Sequence, residues 1–459
     1  MALFAWFVFL VRPGLASWFS NDDLMNLHYY WWRGWPALLK GILRFWSTYY
    51  RPLGGLFYQS IYAIWGFHPL PFHIAAFLLL CADYVLLGIV VRQFTRSRWC
   101  ALLALLLVGC NPAFFDAFFD TGTIYDILAF GFFWSAFALY VRIRERHQLP
   151  GWVALTGLLC LFVLALDAKE ISFVFPVAIG LYELVWHPPE KWNRWALRHW
   201  IFHEGRFTAI AALLGIVCAF GKLHGAESLV RAEPYHPHYS VGNYIRSLAH
   251  YAGLLVNTPV TVSLMVTLLL LMAGVAVRSR RKCLLWGIAF ILTGVVPLAF
   301  IPGRGGFAYM VPAVGWAVYV TGLLRWLLEH LIPRQMEARK VAAVLLFLVL
   351  FIGLAPWERK WTHTHSTGIH RVQYRSLGYT NEIHALIPKP RKGAKILLLT
   401  DAGGYDDYDV YFVIRLSYGD PALEVTRARV LADWHAKIDR STYDYVLDWV
   451  KGRFVLVKG

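Results

Sequence analysis

The sequence predicts a polytopic α-helical membrane protein with about eleven transmembrane helices, followed by a small soluble α/β domain. Two observations carry this prediction. Of the 459 residues, 58% are hydrophobic and only 16% are charged, which would leave too much apolar surface in water for an ordinary soluble globule. Runs of about 20 mostly apolar residues, the length that crosses a bilayer, recur up to about Gly353 and then stop.

The apolar runs divide the chain into a transmembrane domain, residues 1–355, and a C-terminal α/β domain, residues 356–459. The first apolar segment lacks the basic start of a secretory signal, so we expect it to be retained as a span. The loop after it, residues 19–66, is rich in Trp, Tyr, Arg and Lys. This composition predicts helices that lie in the membrane interface, with an amphipathic surface loop as the alternative.

Ten further spans are expected after the first. They are residues 71–91, 99–108, a fourth that ends near 141, 152–166, 171–186, 207–220, an eighth that ends at 278, a ninth that reaches 301, a tenth that ends near 334, and 341–354. Arg and Lys cluster in alternate loops, after the even-numbered spans, and the positive-inside rule places those loops in the cytoplasm. This topology explains the net charge of +16, so nucleic acid is not expected as a partner.

The opposite, outer face then contains most of the polar residues that are candidates for a functional site. It holds Asp22 and Asp23, the loop of Asp116 and Asp120, the DAKE turn at 167–170, the Arg304 loop and the C-terminal domain. A charged side chain is costly inside a bilayer, so ionisable residues near span ends need partners, water or a purpose. We therefore predict a polar cavity at the outer membrane edge.

The C-terminal domain is predicted from short alternating and apolar patterns. KILLLT predicts a strand, DAGGYDDYDVYFVIRLSYG a turn and a helix, LEVTRARV a second strand, and YDYVLDWVKGRFVLV two more strands. The TDAGGYDD stretch superficially resembles a phosphate or metal loop, and we interpret it as a structural turn. The His-rich run after Trp361 is interpreted as a linker.

Asp22 and Asp23 are the first candidate site. Adjacent carboxylates in an aromatic, partly dehydrated setting repel each other, which raises one pKa and can provide a general base. A divalent cation bound by the pair and a helix N-cap after Asn21 are the alternatives.

Asp116 and Asp120 form a second candidate pair, because residues four apart share a helix face. They could bind a metal, position an acceptor hydroxyl or solvate a loop. His236 and His238 have no third ligand at a standard spacing, so a metal site there is not expected.

Basic residues of the outer loops are candidates for binding a phosphate. Arg304 is the best, since its planar fork pairs bidentately with phosphoryl oxygens. Lys169 could contact the same group while Glu170 orients another, and Arg246 and Lys222 are weaker candidates.

Five stretches in order give a resemblance to a known family. They are NDDLMN, YRPL, NPAFFDAFFDTGTIYDILAF, AKEISFVFPVAIGLYEL and PGRGGFAYMVPAVG. Together they resemble the GT-C superfamily of integral-membrane glycosyltransferases, and the protein O-mannosyltransferase-like group in particular. Unlike the members that carry tetratricopeptide repeats, this chain ends in a small α/β domain.

The resemblance implies an enzyme that transfers a sugar from a polyprenyl-phosphate donor to an acceptor hydroxyl, with inversion at the anomeric carbon. It implies that the catalytic carboxylate is Asp22 or Asp23. The phosphate-binding residues would be Arg304, Lys169, Arg51 and Arg246, and the site would be lined by Asp116, Asp120, Tyr50 and Glu170. The acceptor would be a lipid, a glycan or a protein.

Several alternatives stay open at this stage. The chain could be a transporter or flippase for a lipid-linked glycan, although such proteins carry internal repeats and charges at the membrane midplane. It could also be a glycan ligase with a pyrophosphate-linked donor. A divalent cation, Mg²⁺ or Mn²⁺, could be held by Asp22, Asp23 and Asp116. We expect the protein in the bacterial inner membrane with its site facing the periplasm.

Overall fold

The computed structural model describes residues 1–224, 228, 235–332, 336–403, 407–433 and 438–459. These residues form a helical bundle followed by a four-stranded sheet. Six of the described helices are long and apolar enough to cross a membrane, or up to eight if each of two bent helix pairs counts as one span. The chain is thus a polytopic α-helical membrane protein with a small C-terminal α/β unit.

The first half of the bundle contains the helices whose ends carry Asp22, Arg51 and Lys169. Its helices are α1 (Ala2–Val11), α2 (Asn21–Leu43), α3 (Pro52–Trp65), α4 (Pro69–Thr95), α5 (Arg98–Ala104), α6 (Phe115–Phe119), α7 (Ile124–Arg144), α8 (Trp152–Ala168) and α9 (Phe175–Trp186). Helix α2 bends sharply away from α1, by 69°. It is also kinked at Gly34, whose φ of 72° is left-handed, two residues before Pro36.

The second half continues the bundle and leads into the C-terminal domain. Its helices are α10 (Arg194–Phe202), α11 (Arg206–His224), α12 (Val241–Val256), α13 (Val262–Ser279), α14 (Lys282–Gly294), α15 (Met310–Leu331) and α16 (Met336–Leu386). Arg334, near which the tenth span was expected to end, lies outside the described residues.

The expected number of eleven spans is higher than the six to eight helices that are long enough. Several predicted spans form shorter helices: α8 has 17 residues, α9 has 12 and α14 has 13. Helix α5 has 7 residues and continues as a π-helix over Leu105–Gly109. Hydropathy reports apolar composition but not where a turn or cap ends a helix, so the sequence overestimated the number of full-length spans.

Helix α16 corrects the interpretation of the region after Trp361. The His-rich run is not a linker, because α16 continues without interruption for 51 residues, from its apolar half through Pro356 into its polar half. The predicted domain boundary between residues 355 and 356 therefore falls inside one helix, which the two domains share.

The C-terminal sheet has the strand order β2-β1-β3-β4. The strands are β1 (Lys395–Leu398), β2 (Glu424–Arg427), β3 (Tyr445–Val450) and β4 (Arg453–Lys458), with β2 and β3 parallel to β1 and β4 antiparallel to β3. The predicted strand LEVTRARV is correct only for β2, since α18 (Ala428–Asp433) follows at once. Part of the TDAGGYDD turn, residues 404–406, lies outside the described residues.

The C-terminal domain packs against the first loop of the bundle through α17 (Asp409–Tyr418). The ring of His28 in α2 lies 5.0 Å from that of Phe412, and the Arg415 guanidinium lies 4.1 Å above the ring of Trp32. The hydroxyl of Tyr62 donates to the backbone carbonyl of Leu416 at 2.6 Å. These contacts fix the domain beside the helix that begins with Asp22 and Asp23.

Candidate active site

The start of α2 is built by a capping box. The Ser20 N–H donates to Asp23 Oδ2 at 2.9 Å, and the Asp23 N–H donates back to Ser20 Oγ at 3.2 Å. This reciprocal pair satisfies two of the backbone donors that a helix N-terminus otherwise leaves open. It also fixes which of the two adjacent aspartates points inward.

Asp23 is the inward member, with 0% of its surface exposed. Its Oδ1 accepts hydrogen bonds from the Tyr58 hydroxyl, at 3.0 Å, and from Thr121 Oγ1. Both carboxylate oxygens are thus occupied by protein donors that tie α2 to α3 and to the start of α7. Asp23 is placed to hold the loop, not to meet a substrate.

Asp22 is the outward member and is exposed. The chain passes very close to it at Gly122, where an added Cβ would lie 3.0 Å from Asp22 Cβ and 2.9 Å from Asp120 Oδ1. A larger residue at position 122 would require these side chains to shift. Asp22 is therefore the carboxylate of the pair that a ligand can reach.

Asp120 lies behind this glycine. Its Oδ1 accepts from Ser20 Oγ at 2.9 Å and from the Gly122 N–H at 2.8 Å. Removal from water raises the pKa of Asp120 well above its usual value, and the neighbouring charge of Asp23 adds to the rise. Asp120 thus joins the support of the α2 start.

Arg51 provides the cationic side of the site. It stands at the N-cap of α3 in a left-handed conformation, with φ of 38°. Its Nη2 and Nε donate to Glu170 Oε2 at 2.8 and 3.1 Å, and its Nη1 donates to the Tyr50 hydroxyl at 2.9 Å. Burial favours the neutral form of Glu170, but Arg51 and Lys222 outweigh it and lower the pKa of Glu170 to about 2.

Lys169 makes a second ion pair next to the first. Its Nζ lies 2.6 Å from Asp126 Oδ1 and 5.2 Å from the centre of the Phe307 ring. Removal from water lowers the pKa of Lys169, while the Asp126 carboxylate opposes that change. Sequence reasoning paired neither Lys169 with Asp126 nor Arg51 with Glu170, because these partners are distant along the chain.

Tyr50 connects the cations with Asp22. Burial raises the pKa of Tyr50 to about 12, Arg51 opposes the rise, and the charges of Glu170, Tyr235 and Asp22 add to it. Arg51 thus bridges Tyr50 and Glu170, and the charge of Asp22 also acts on the same phenol. We call these four residues, Asp22, Tyr50, Arg51 and Glu170, the Tyr50 cluster.

The Arg304 loop approaches from the other side of the bundle. The Arg304 guanidinium lies 4.1 Å above the Tyr235 ring, and Tyr235 is itself close enough to influence Tyr50. A Cβ at Gly305 would lie 2.9 Å from Asp116 Oδ2. The loops of Arg304 and Asp116 are therefore neighbours.

Arg246 is the most peripheral of the predicted residues. It is exposed on α12 and donates to Asn243 of its own helix. One turn further on, the His250 ring nitrogen lies 2.9 Å from the backbone oxygen of Arg304. Arg246 is thus linked to the Arg304 loop only through its helix.

The proposed metal ligands do not form a ligand set in the part of the chain that the structure describes, where no group of three or more His, Cys, Asp or Glu residues is arranged around a common point. Asp23 is fully engaged by protein donors and Asp22 faces away from it. The divalent cation remains a prediction.

Sequence reasoning missed the groups that distinguish the two aspartates. Ser20 could have been found, since Ser-x-x-Asp at the start of a helical pattern is a form of the capping box. Tyr58 and Thr121 had no such signal, because they come from elements 35 and 98 residues away from Asp23.

Comparisons with known proteins give little further guidance. No family model and no curated protein matches the sequence. Among solved structures, the chain is similar to that of ArnT from Cupriavidus metallidurans in the apo state, with a TM-score of 0.47 and 13% sequence identity, covering 98% of this chain and 93% of that chain. A likeness at this TM-score and identity is too loose to assign a fold family or an activity.

Proposed function

We propose that this protein is an inverting membrane glycosyltransferase of the GT-C type that moves a sugar from a polyprenyl-phosphate donor to an acceptor hydroxyl. One observation carries the proposal: the segment 19–66 that exposes the Asp22 carboxylate also contains Arg51, whose guanidinium is held by Glu170 and Tyr50. A base and a phosphate-binding cation next to apolar helices are the groups that such a transfer needs.

Asp22 is proposed as the general base and Asp23 as the residue that positions it. An accessible carboxylate can approach an acceptor hydroxyl, whereas both oxygens of Asp23 already accept hydrogen bonds. The acceptor oxygen attacks the anomeric carbon as its proton passes to Asp22. The bond from that carbon to the phosphate oxygen breaks, and the polyprenyl phosphate leaves with the electron pair.

Arg51 and Lys169 are proposed to hold the phosphate of the donor, with Arg304 at the edge of the site. Glu170 keeps Arg51 oriented through two of its nitrogens while the guanidinium also reaches Tyr50. Positive charge here stabilises the leaving phosphate as negative charge develops on it, so a strong acid is not required.

The cellular setting is proposed from the charge pattern of the loops. The Tyr50 cluster belongs to the loops that the positive-inside rule places outside the cytoplasm. We therefore propose a bacterial inner-membrane enzyme with a periplasmic site, a lipid, glycan or protein acceptor, and a relationship to the protein O-mannosyltransferase-like group.

The test compares the two aspartates in proteoliposomes supplied with radiolabelled polyprenyl-phosphate-linked mannose or glucose. Removing a general base typically lowers the rate by about 10²–10⁴-fold, so Asp22→Asn should lose transfer by that factor while its thermal unfolding stays at the wild-type temperature. Asp23→Asn should lower the unfolding temperature and keep part of the transfer.

Wild-type transfer by Asp22→Asn would refute the assigned mechanism. Turnover of a pyrophosphate-linked donor instead of the monophosphate would identify a glycan ligase. Movement of labelled lipid across the bilayer without sugar transfer would identify a flippase.

A further inference from the structure

A groove of about 980 Å³ lies between α1 and α16, outside the Tyr50 cluster. Its lower wall is aromatic and aliphatic, formed by Trp6 and Phe9 of α1 and by Phe351 and Ile352 of α16. The Trp6 and Phe351 rings are 5.8 Å apart and nearly perpendicular. Helix α16 contains a candidate membrane span, and α1 counts as one only together with α2.

The upper rim of the same groove is cationic. It is lined by Arg12, which follows α1, and by Arg359 and Lys360, which follow Pro356 in α16. Since a helix rises about 1.5 Å per residue, Arg359 stands roughly 12 Å above Phe351. The groove therefore has a long apolar part and a charged end, the polarity of a membrane lipid.

These rim cations are not neutralised by the chain that the structure describes. Among the described residues no ion pair involves Arg12, Arg359 or Lys360, and the Arg12 guanidinium lies 4.8 Å over the Phe9 ring of the same groove. Glu358, which is adjacent in sequence, is buried and accepts a hydrogen bond from Trp6 Nε1 at 2.6 Å. That bond turns the nearest acid away from the rim and fixes the aromatic wall.

We propose that this groove binds an acidic phospholipid, with its phosphate between Arg12, Arg359 and Lys360 and an acyl chain along Phe9 and Phe351. Charge complementarity supports an anionic headgroup, and the aromatic wall supports a lipid in preference to free phosphate. The groove contains none of Asp22, Arg51 or Lys169, so the inference does not depend on the proposed sugar transfer.

Native mass spectrometry of the full-length protein in detergent can test this inference. The probes are phosphatidylglycerol, phosphatidylcholine with the same acyl chains, inorganic phosphate and polyprenyl phosphate. The protein should bind phosphatidylglycerol and bind phosphatidylcholine and inorganic phosphate far more weakly. Two basic residues near an anionic headgroup together change affinity by roughly thirtyfold, so Arg359→Ala/Lys360→Ala should weaken phosphatidylglycerol binding by that factor.

Two further variants separate charge from shape. Ala355→Trp keeps every charge but fills the groove, and it should abolish binding of phosphatidylglycerol. Arg371→Ala removes an exposed cation of α16 that is not part of the groove, and it should bind as the wild type does.

Three results would overturn the inference. They are equal binding of phosphatidylcholine, an unchanged affinity in both groove variants, and displacement of phosphatidylglycerol by stoichiometric polyprenyl phosphate, which would assign the groove to the donor lipid. Matching thermal unfolding of all variants excludes misfolding as the cause of any loss.

Discussion

Two clusters of this protein contain an Arg–Glu ion pair, and the two pairs differ in how far they are exposed. In the Tyr50 cluster, Arg51 pairs with Glu170, and 33% of the Glu170 side chain is exposed. Near the end of α7, Arg144 Nε and Nη2 donate to the two oxygens of Glu183 at 2.9 and 3.0 Å, and the Glu183 side chain is 0% exposed.

The Arg144 pair is also more completely satisfied. The Tyr140 hydroxyl donates to Glu183 Oε1 at 2.8 Å, and Arg144 forms a further ion pair with Glu204. A buried ion pair thus does not identify a functional site by itself. The difference lies in access: Asp22 and part of Glu170 can meet a ligand, whereas Glu183 can meet only protein.

The largest expected effect is on stability, at the buried Arg144–Glu183 pair. Arg144→Met leaves the Glu183 carboxylate buried without its main partner, and such a change costs about 3–5 kcal/mol of unfolding free energy. Denaturant unfolding in detergent measures this loss. The fraction that remains folded should transfer sugar at the wild-type rate.

Arg142→Met is the matched control, because Arg142 is exposed on the same helix. It should change stability by less than about 0.5 kcal/mol. Equal losses in the two variants would mean that burial at Arg144 has no special weight, and the contrast between the clusters would fail.

The next effect separates stability from activity at Lys169. Lys169→Met leaves Asp126 buried and unpaired and should cost about 3 kcal/mol of unfolding free energy. Lys169→Met/Asp126→Leu removes both charges, so most of that stability should return. Sugar transfer should stay low in both variants, because the cation proposed to bind the phosphate is missing.

Unfolding free energies and initial transfer rates of the single and double variants distinguish a phosphate-binding role of Lys169 from a structural one. If the double variant recovers transfer together with stability, Lys169 has only a structural role, like Arg144.

A smaller effect is expected when Arg51 is replaced by lysine, which keeps the positive charge but lacks the planar guanidinium. Arg51→Lys replaces the three separate nitrogens that contact Glu170 and Tyr50 by one nitrogen, and a hydrogen bond to a charged group contributes about 1.5–3 kcal/mol. The KM for the polyprenyl-phosphate donor should rise by roughly ten- to a hundredfold, with a small change in unfolding temperature. Arg44→Lys, at an exposed position before the same loop, should leave both quantities unchanged.

The sequence was sufficient for the class of fold, but not for which of the candidate site residues pair with one another. Apolar composition is a local property, so the membrane bundle and the strands after Lys395 were predictable. The roles of Asp22 and Asp23 were not separable, since the donors to Asp23 come from Tyr58 and Thr121 in other helices.

The linker interpretation of the His-rich run was wrong for a physical reason. A helix continues through polar residues when its neighbours support it, which is why the His-rich run is part of α16 and not a linker. Gln373 in that region donates to the Phe119 carbonyl at 3.0 Å, and Ser376 donates to the Phe19 carbonyl at 2.8 Å. Such long-range support is invisible in a hydropathy profile.

The smallest expected effect is a pH dependence of stability at Glu170. Burial alone would raise the pKa of Glu170, but Arg51 and Lys222 lower it from its usual 4.5 to about 2 in the folded protein, so the ionised form stabilises the fold. That contribution is fully present above about pH 4.5 and is lost as the pH falls toward 2, because the folded state must then take up the proton against Arg51. Partial exposure of Glu170 keeps the effect small.

The free energy of unfolding should therefore change less between pH 5 and pH 3 in Glu170→Gln than in the wild type. The control Glu190→Gln, at an exposed loop position, should retain the wild-type difference. An unchanged pH dependence of the free energy of unfolding in Glu170→Gln would show that Tyr50 and a ligand hold Arg51 without Glu170. The Tyr50 cluster would then resemble the buried Arg144–Glu183 pair even less.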